Sequence, residues 1–300
     1  MTSMETSANR LLSLVEALLV TFLWSTSYVF IKIGLEEINP LTFAAYRYAI
    51  ASVVLIVYAS LCCREKMKEI NLNRVAVFLA LGFSGYFIAQ GMQFLGLFYL
   101  SPVTVTFVLN LTPIFVWALS AVFLKEKPLS LQLLGMVLAL IGILVYFHNS
   151  ICDLGESTGI LVTLVSGVGW SVYMILVRRR LWKENENVTV LTAYSMCLGA
   201  LMLLGATALS GNVVNVSLGS WLIIIWLSIV NTAVAFVLWN HALKILKAYE
   251  QSILQNSMLI QITLLSVVFL GEQLTLQKIF GMALVFTGVL IVQLKARTLK

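Results

Sequence analysis

FLKEKPLSLQLLGMVLALIG, Phe123 to Gly142, returns late in the chain as FLGEQLTLQKIFGMALVFTG, Phe269 to Gly288. At an offset of 146 positions, with no gap, Phe, Leu, Glu, Gly, Met, an inner Leu and the final Gly coincide. The offset reaches well outside this stretch. Trp24-Ser25 falls on Trp170-Ser171, Lys32 on Arg178, Leu35 on Leu181, Thr106 on Ser252 and Asn110 on Asn256. Leu matches arise easily in apolar sequence, so the weight rests on Trp-Ser, Asn, Glu and Gly-Met sharing one offset. The chain reads as two copies of one unit, residues 11–148 and 157–294.

Of the 300 residues, 60% are hydrophobic and 11% charged, against roughly 25% charged in a soluble domain. Mean hydropathy is +0.98. Such a chain cannot cover a water-facing surface, which leaves the bilayer as its solvent. Backbone groups in lipid must bond within helices or a closed barrel. The apolar runs here do not alternate and reach the ~20 residues that a crossing helix needs.

Ten runs are predicted, near Leu11–Ile33, Leu41–Leu61, Val75–Leu97, Ser101–Leu124, Ser130–Phe147, Thr158–Val177, Thr189–Leu209, Ser220–Asn240, Glu250–Leu270 and Thr275–Gln293. The expected fold is an all-α integral membrane protein of ten transmembrane helices. The ten-residue N-terminus precedes a full-length span, so that span is expected to stay rather than be cleaved as a signal peptide. The cysteines show neither a disulfide framework nor metal spacing. No cofactor, metal or nucleotide loop is called for.

Assigning loops alternately to two sides places 16 of the 19 Lys and Arg on one of them. That side is then cytoplasmic and holds both termini. The net charge of +6 reads as topology in a cell (plasma or inner) membrane, with no nucleic-acid partner implied. Five spans per copy, an odd number, invert the second copy relative to the first. Two inverted five-helix repeats are a recurring architecture of secondary transporters, with the solute held between the halves.

WSTSYVFIKIGLEEINPLTFAAYRY, Trp24 to Tyr48, resembles the first-repeat signature of EamA-type proteins in the drug/metabolite transporter superfamily. The matching positions are Trp24, Ser25 where Gly is usual, Lys32, Pro40, Arg47 and Tyr48. Gly271-Glu272, with Gly281 and Gly288, matches the family's Gly-Glu element and Gly-rich last helix; Lys125 departs from it before Glu126. VLWNHALK, Val237 to Lys244, is similar to the second-repeat pattern. The resemblance implies ten helices around a central cavity. It also implies export or exchange of small metabolites, often amino acids or amphipathic compounds, by alternating access. A nucleotide-sugar or triose-phosphate type carrier, which would want clustered cavity Arg and Lys, is the alternative within transport; outside it stands a non-transporting sensor or scaffold. Paired intramembrane carboxylates for catalysis are absent from the spans, so an enzyme is not expected.

Polar groups inside a membrane are costly and face protein or a cavity. Thr106 and Asn110 share one face of span 4, and Ser252 and Asn256 the corresponding face of span 9. With Gln255 they are candidates for holding a polar substrate at mid-membrane; the plainer role is hydrogen bonding between helices. Arg47 lies ~9 Å inside the end of span 2, six residues at 1.5 Å each. It suits a substrate carboxylate, or it braces the bundle. Trp24, Trp170, Tyr86 and Trp239 are candidates for an aromatic cavity wall, or for interfacial anchors. Glu16, in the inner part of span 1, could carry a proton, or simply sit at the interface near Arg10. Glu126, Glu272 and Lys32 read as structural groups at helix ends. Gly135 and Gly142, like Gly281 and Gly288, are seven apart and share a face. That face could serve a homodimer through helices 5 and 10, or close packing within the bundle.

Overall fold

The computed structural model describes residues 3–68, 72–124, 130–146, 154–183, 186–211, 216–246, 251 and 254–294. Its elements are helices: α1 (Ser3–Gly34), α2 (Pro40–Cys62), the short α3 (Arg64–Lys68), α4 (Leu72–Tyr99), α5 (Pro102–Leu109), α6 (Thr112–Leu124) and α7 (Ser130–Tyr146) make up the first half. The second half comprises α8 (Leu154–Lys183), α9 (Val188–Ser210), α10 (Leu218–Ile245), α11 (Ser257–Leu270) and α12 (Leu276–Leu294). Six of them, α1, α2, α4, α8, α9 and α10, are long and apolar enough to cross a membrane, and shorter apolar helices occupy the other four expected positions. Large apolar side chains such as Leu12, Val57, Leu140, Leu161, Leu222 and Val268 are exposed, which only a lipid solvent tolerates on this scale.

Local chemistry sets the helix ends. Asn39 caps α2, accepting from the Leu41 amide with Pro40 at the first turn, and Ser101 does the same for α5 ahead of Pro102. Asn187 and Ser217 cap α9 and α10. In each case a side-chain oxygen takes up an amide that the first turn leaves unpaired. At the end of α11, Gly271 adopts φ +65°, the left-handed C-cap that glycine enters without a Cβ penalty.

The sequence offset is also a spatial relation. Lys32 Nζ donates to the Leu97 and Leu100 carbonyls at 2.7 and 3.1 Å, capping the end of α4. Its counterpart Arg178 donates from Nη1 to the Leu243 and Lys244 carbonyls at 2.6 and 2.9 Å, capping α10. Each capping cation thus holds the last carbonyls of the long apolar helix two spans on. Helix α2 packs on its own counterpart α9, and α7 on its counterpart α12. In the second pair the glycines interlock crosswise: a Cβ on Gly142 would lie 2.8 Å from the Gly281 oxygen, and one on Gly288 would lie 2.5 Å from the Gly135 oxygen. The shared glycine face is therefore used within one chain.

Both long helices α4 and α10 widen into π-helix at matching positions, Gly82–Gln90 and Ile229–Val234. Such segments are uncommon and cluster at functional sites. The fourth expected run is broken: α5 stops at Leu109 and α6 begins at Thr112, with Asn110 at the break. Its counterpart breaks at Asn256, where α11 begins.

Two contacts link the halves at opposite ends of the bundle. Glu37, in the connection after α1, accepts from the Ser217 amide and hydroxyl, both at 2.7 Å, and from the Ser220 hydroxyl at the start of α10. At the other end, where the basic loops gather, Arg74 at the start of α4 holds Glu186, just before α9, in a two-pronged ion pair with Nε to Oε1 at 2.9 Å. Ser220 is the counterpart of Arg74 at the 146-residue offset. The two clasps thus occupy related places at the two ends.

Glu37 lies outside the spans, and its donors, Ser220 first and then Ser217, hold its carboxyl below the usual glutamate range. A depressed folded-state value adds stability above the unfolded one, about 4.3, and that stability is lost as pH falls through the folded value. From about pH 5 downward, the thermal midpoint should therefore fall more steeply for the wild-type chain than for Glu37→Gln. Parallel curves for the two proteins would remove Glu37 from the explanation.

Candidate functional site

At the centre, three helices meet around Asn231, in the π segment of α10. Its Nδ2 donates to the Leu23 carbonyl, to Thr26 Oγ1 at 3.0 Å and to Ser27 Oγ at 2.9 Å, all on α1. Its backbone oxygen accepts from Trp24 Nε1 at 3.1 Å and from Arg47 Nη2 at 3.3 Å. A helix widened to i→i+5 bonding leaves such a carbonyl open to outside donors. Arg47 Nε also donates to Thr232 Oγ1 at 2.7 Å, and Nη2 lies 3.5 Å from Ser27 Oγ. The Arg47 guanidinium sits 5.6 Å from the Tyr48 ring centre and 5.9 Å from that of Phe94. It is 3% exposed.

Beside this hub is a cavity lined by Trp24, Ser27, Tyr28, Arg47, Tyr48, Gln90, Gln93, Trp170, Phe236 and Gln255 among others; to a water-sized sphere it offers about 40 Å³. The counterparts Trp24 and Trp170 meet edge to face across it, with centroids 5.7 Å apart. Trp170 Nε1 donates to Gln255 Oε1 at 3.0 Å. A smaller neighbouring cavity shares Tyr28, Leu109, Gln255 and Met258, and adds Thr106, Asn110 and Asn256. The two helix breaks therefore bring both asparagines to one space. Asn110 Nδ2 donates to the Thr106 carbonyl at 2.9 Å, within its own helix. Its Oδ1, like Asn256 Nδ2, is buried with no hydrogen-bond partner among the described residues. Thr106 Oγ1 is tied to the Pro102 carbonyl at 2.7 Å.

Two expected wall residues stand elsewhere. Tyr86 and Trp239 are fully buried and line neither cavity. Tyr86, in the π segment, bonds through its hydroxyl to that of Tyr173 on α8 at 3.0 Å. Trp239 packs at a tilt against Trp24, centroids 4.8 Å apart. Both support the aromatic wall instead of forming it. Ser252 and Glu126 lie outside the described residues. Glu272 keeps one carboxylate oxygen buried and without a hydrogen bond, while Thr275 caps α12 by accepting from the Lys278 amide at 3.3 Å.

Glu16 is joined to His241 of α10, whose Nδ1 lies 2.8 Å from Glu16 Oε2. That contact reaches across to the other repeat. Sequence reasoning also missed Asn231 and Thr232. Two adjacent polar residues in the apolar run 220–240 were the available signal.

A model of the EamA-like transporter family matches residues 11–147 and 157–294. An uncharacterized transporter of Archaeoglobus fulgidus is 31% identical over 93% of this chain and 97% of its own length. A probable amino-acid metabolite efflux pump of Salmonella typhimurium is 24% identical over 92% of each chain. An S-adenosylmethionine/S-adenosylhomocysteine transporter of Chlamydia trachomatis is 27% identical over 60% of this chain and 57% of its own. One crystal structure matches in fold with a TM-score of 0.66 at 22% identity, covering 94% of this chain and 99% of that one.

Proposed function

This chain belongs to the EamA-like transporter family, and from that premise we propose that it is a secondary transporter with ten crossings in two inverted repeats. It exports or exchanges a small organic metabolite, such as an amino acid or an amphipathic compound, by alternating access. The observation that carries this reading is the pair of helix breaks at Asn110 and Asn256, which bring two buried amide atoms, Asn110 Oδ1 and Asn256 Nδ2, without a hydrogen-bond partner among the described residues, to one central space. Broken helices at the interface of inverted repeats are where carriers expose polar backbone and side-chain groups to a solute.

The two clasps fit the same scheme. Each joins one half to the other at one end of the bundle, and opening one alone would expose the cavity on that side. We assign the basic end, with Arg74 and Glu186, to the cytoplasm of a cell membrane, with both termini there. A homodimer through α7 and α12 would use their outward Leu140, Leu144 and Phe280, because the glycine faces are taken up within the chain.

Transport by reconstituted vesicles, assayed with a panel of amino acids and amphipathic anions and cations, tests the function. Replacing both Asn110 and Asn256 by Ala should lower flux about tenfold or more. Stability should move by no more than the ~0.6–2 kcal/mol of an interhelical hydrogen bond. Normal flux in that double variant would place the solute elsewhere, and no flux of any solute by the wild-type chain would count against transport.

A further inference from the structure

We propose that the solute carries a single carboxylate, and that Arg47 is the residue that binds it. The inference rests on the transport reading and deepens it by naming the chemical class. Among the described residues, Arg47 is the one charged residue lining either central cavity. Its hydrogen-bond partners are Thr232, Ser27 and the Asn231 carbonyl, all neutral. Among the described residues no carboxylate pairs with it. A guanidinium has five N–H groups; those engaged here are on Nε and Nη2, and Nη1 donates to no described residue.

A buried cation without a counter-ion is costly, because neutral hydrogen bonds and aromatic faces replace only part of its hydration. A purely structural brace would not need the charge beside a cavity; a serine or amide would satisfy the same carbonyl at lower cost. A solute carboxylate supplies the missing charge, and it matches the planar fork of Arg in shape.

The count of charges also sets the class. One cation and no acid lining the space balance a monoanion. A phosphate ester with two negative charges would remain half uncompensated, and an organic cation would be repelled. Trp24, Trp170, Tyr48 and Phe236 line the same cavity, so the carboxylate should be attached to an apolar or aromatic body that these faces can pack.

The test uses the full-length chain in vesicles and three matched probes: phenylacetate, its amide and its methyl ester, each competing with whatever solute of the panel the wild-type chain moves. The acid should compete at least tenfold better than either neutral form. In Arg47→Met that preference should vanish, and in Arg47→Lys it should be partly kept at weaker affinity. Should Arg47→Met fail to fold, the wild-type protein in detergent decides. Its thermal midpoint should rise with the acid and not with the ester. Transport in which ester and acid compete equally, or in which Arg47→Met keeps the preference, overturns the assignment while leaving transport intact. A wild-type chain that moves no solute overturns both.

Discussion

Glu186→Ala is expected to lower the stability of the purified protein by about 1–3 kcal/mol. The side chain is 6% exposed and receives both prongs of Arg74. Breaking a fully buried ion pair by removing one partner costs roughly 3–5 kcal/mol. Part of the Arg74 side chain reaches solvent, which reduces the figure through screening. A cycle with Arg74→Ala and the double variant separates the pair from its surroundings. Additivity within ~0.5 kcal/mol would mean the two residues are not coupled. The functional consequence is directional. In inside-out vesicles, a cysteine at the cavity position Gln93, in a background without native cysteines, should react several-fold faster with an impermeant maleimide once Glu186 is gone. Unchanged labelling would mean that this contact fastens two helices without closing an entrance.

Gly288→Val is expected to be as damaging, for a steric reason. Even the first carbon of a side chain there would meet the Gly135 oxygen at 2.5 Å and the Ala139 nitrogen at 2.6 Å. Those are backbone atoms of α7, so no rotamer change can relieve the overlap, and the helices must separate. In lipid, helices associate through close van der Waals packing, not through exclusion of water. Lost contact is therefore not regained elsewhere. Overpacking of this kind costs about 1–3 kcal/mol, and Val should exceed Ala at the same site. Gly205→Ala is the control: nothing lies within 4 Å of its added carbon, and Ala within a helix is favoured over Gly by ~1 kcal/mol. Thermal unfolding in detergent should show opposite shifts for Gly288→Ala and Gly205→Ala. A Gly288→Ala protein as stable as the wild type would refute the close crossing.

Much of the architecture was legible because the repeat is written in side chains. Lys32 and Arg178, Trp24 and Trp170, and Asn110 and Asn256 are paired at one offset in sequence; the fold gives the two cations matching carbonyls to cap, sets the two tryptophans edge to face and brings both asparagines to one cavity. Helix existence followed from apolar length, which a bilayer enforces strongly. The π segments left no such trace, since widening a helix by one residue depends on tertiary bonds rather than on composition. Tyr86, which lies within one of them, bonds Tyr173 instead of lining the cavity. Asn231 escaped notice for a related reason: its side chain and its carbonyl bond groups on α1 and α2, helices that lie far away in sequence. The clasps join positions more than 100 residues apart, and neither Glu37 nor Glu186 carries a local motif. His241 beside Glu16 is a similar case, a contact between repeats that no spacing within one helix announces.

The small central space has an electrical consequence. A water needs at least ~10–15 Å³ of such room, so the 40 Å³ cavity accommodates about three. A hydrogen-bonded file across the ~30 Å hydrocarbon layer would need on the order of ten molecules at ~2.8 Å spacing. Among the described residues, with both ends fastened, the water that this cavity holds is too little for that thread. A conformation with so little water at its centre would leave the gradients on either side intact while both clasps stay shut.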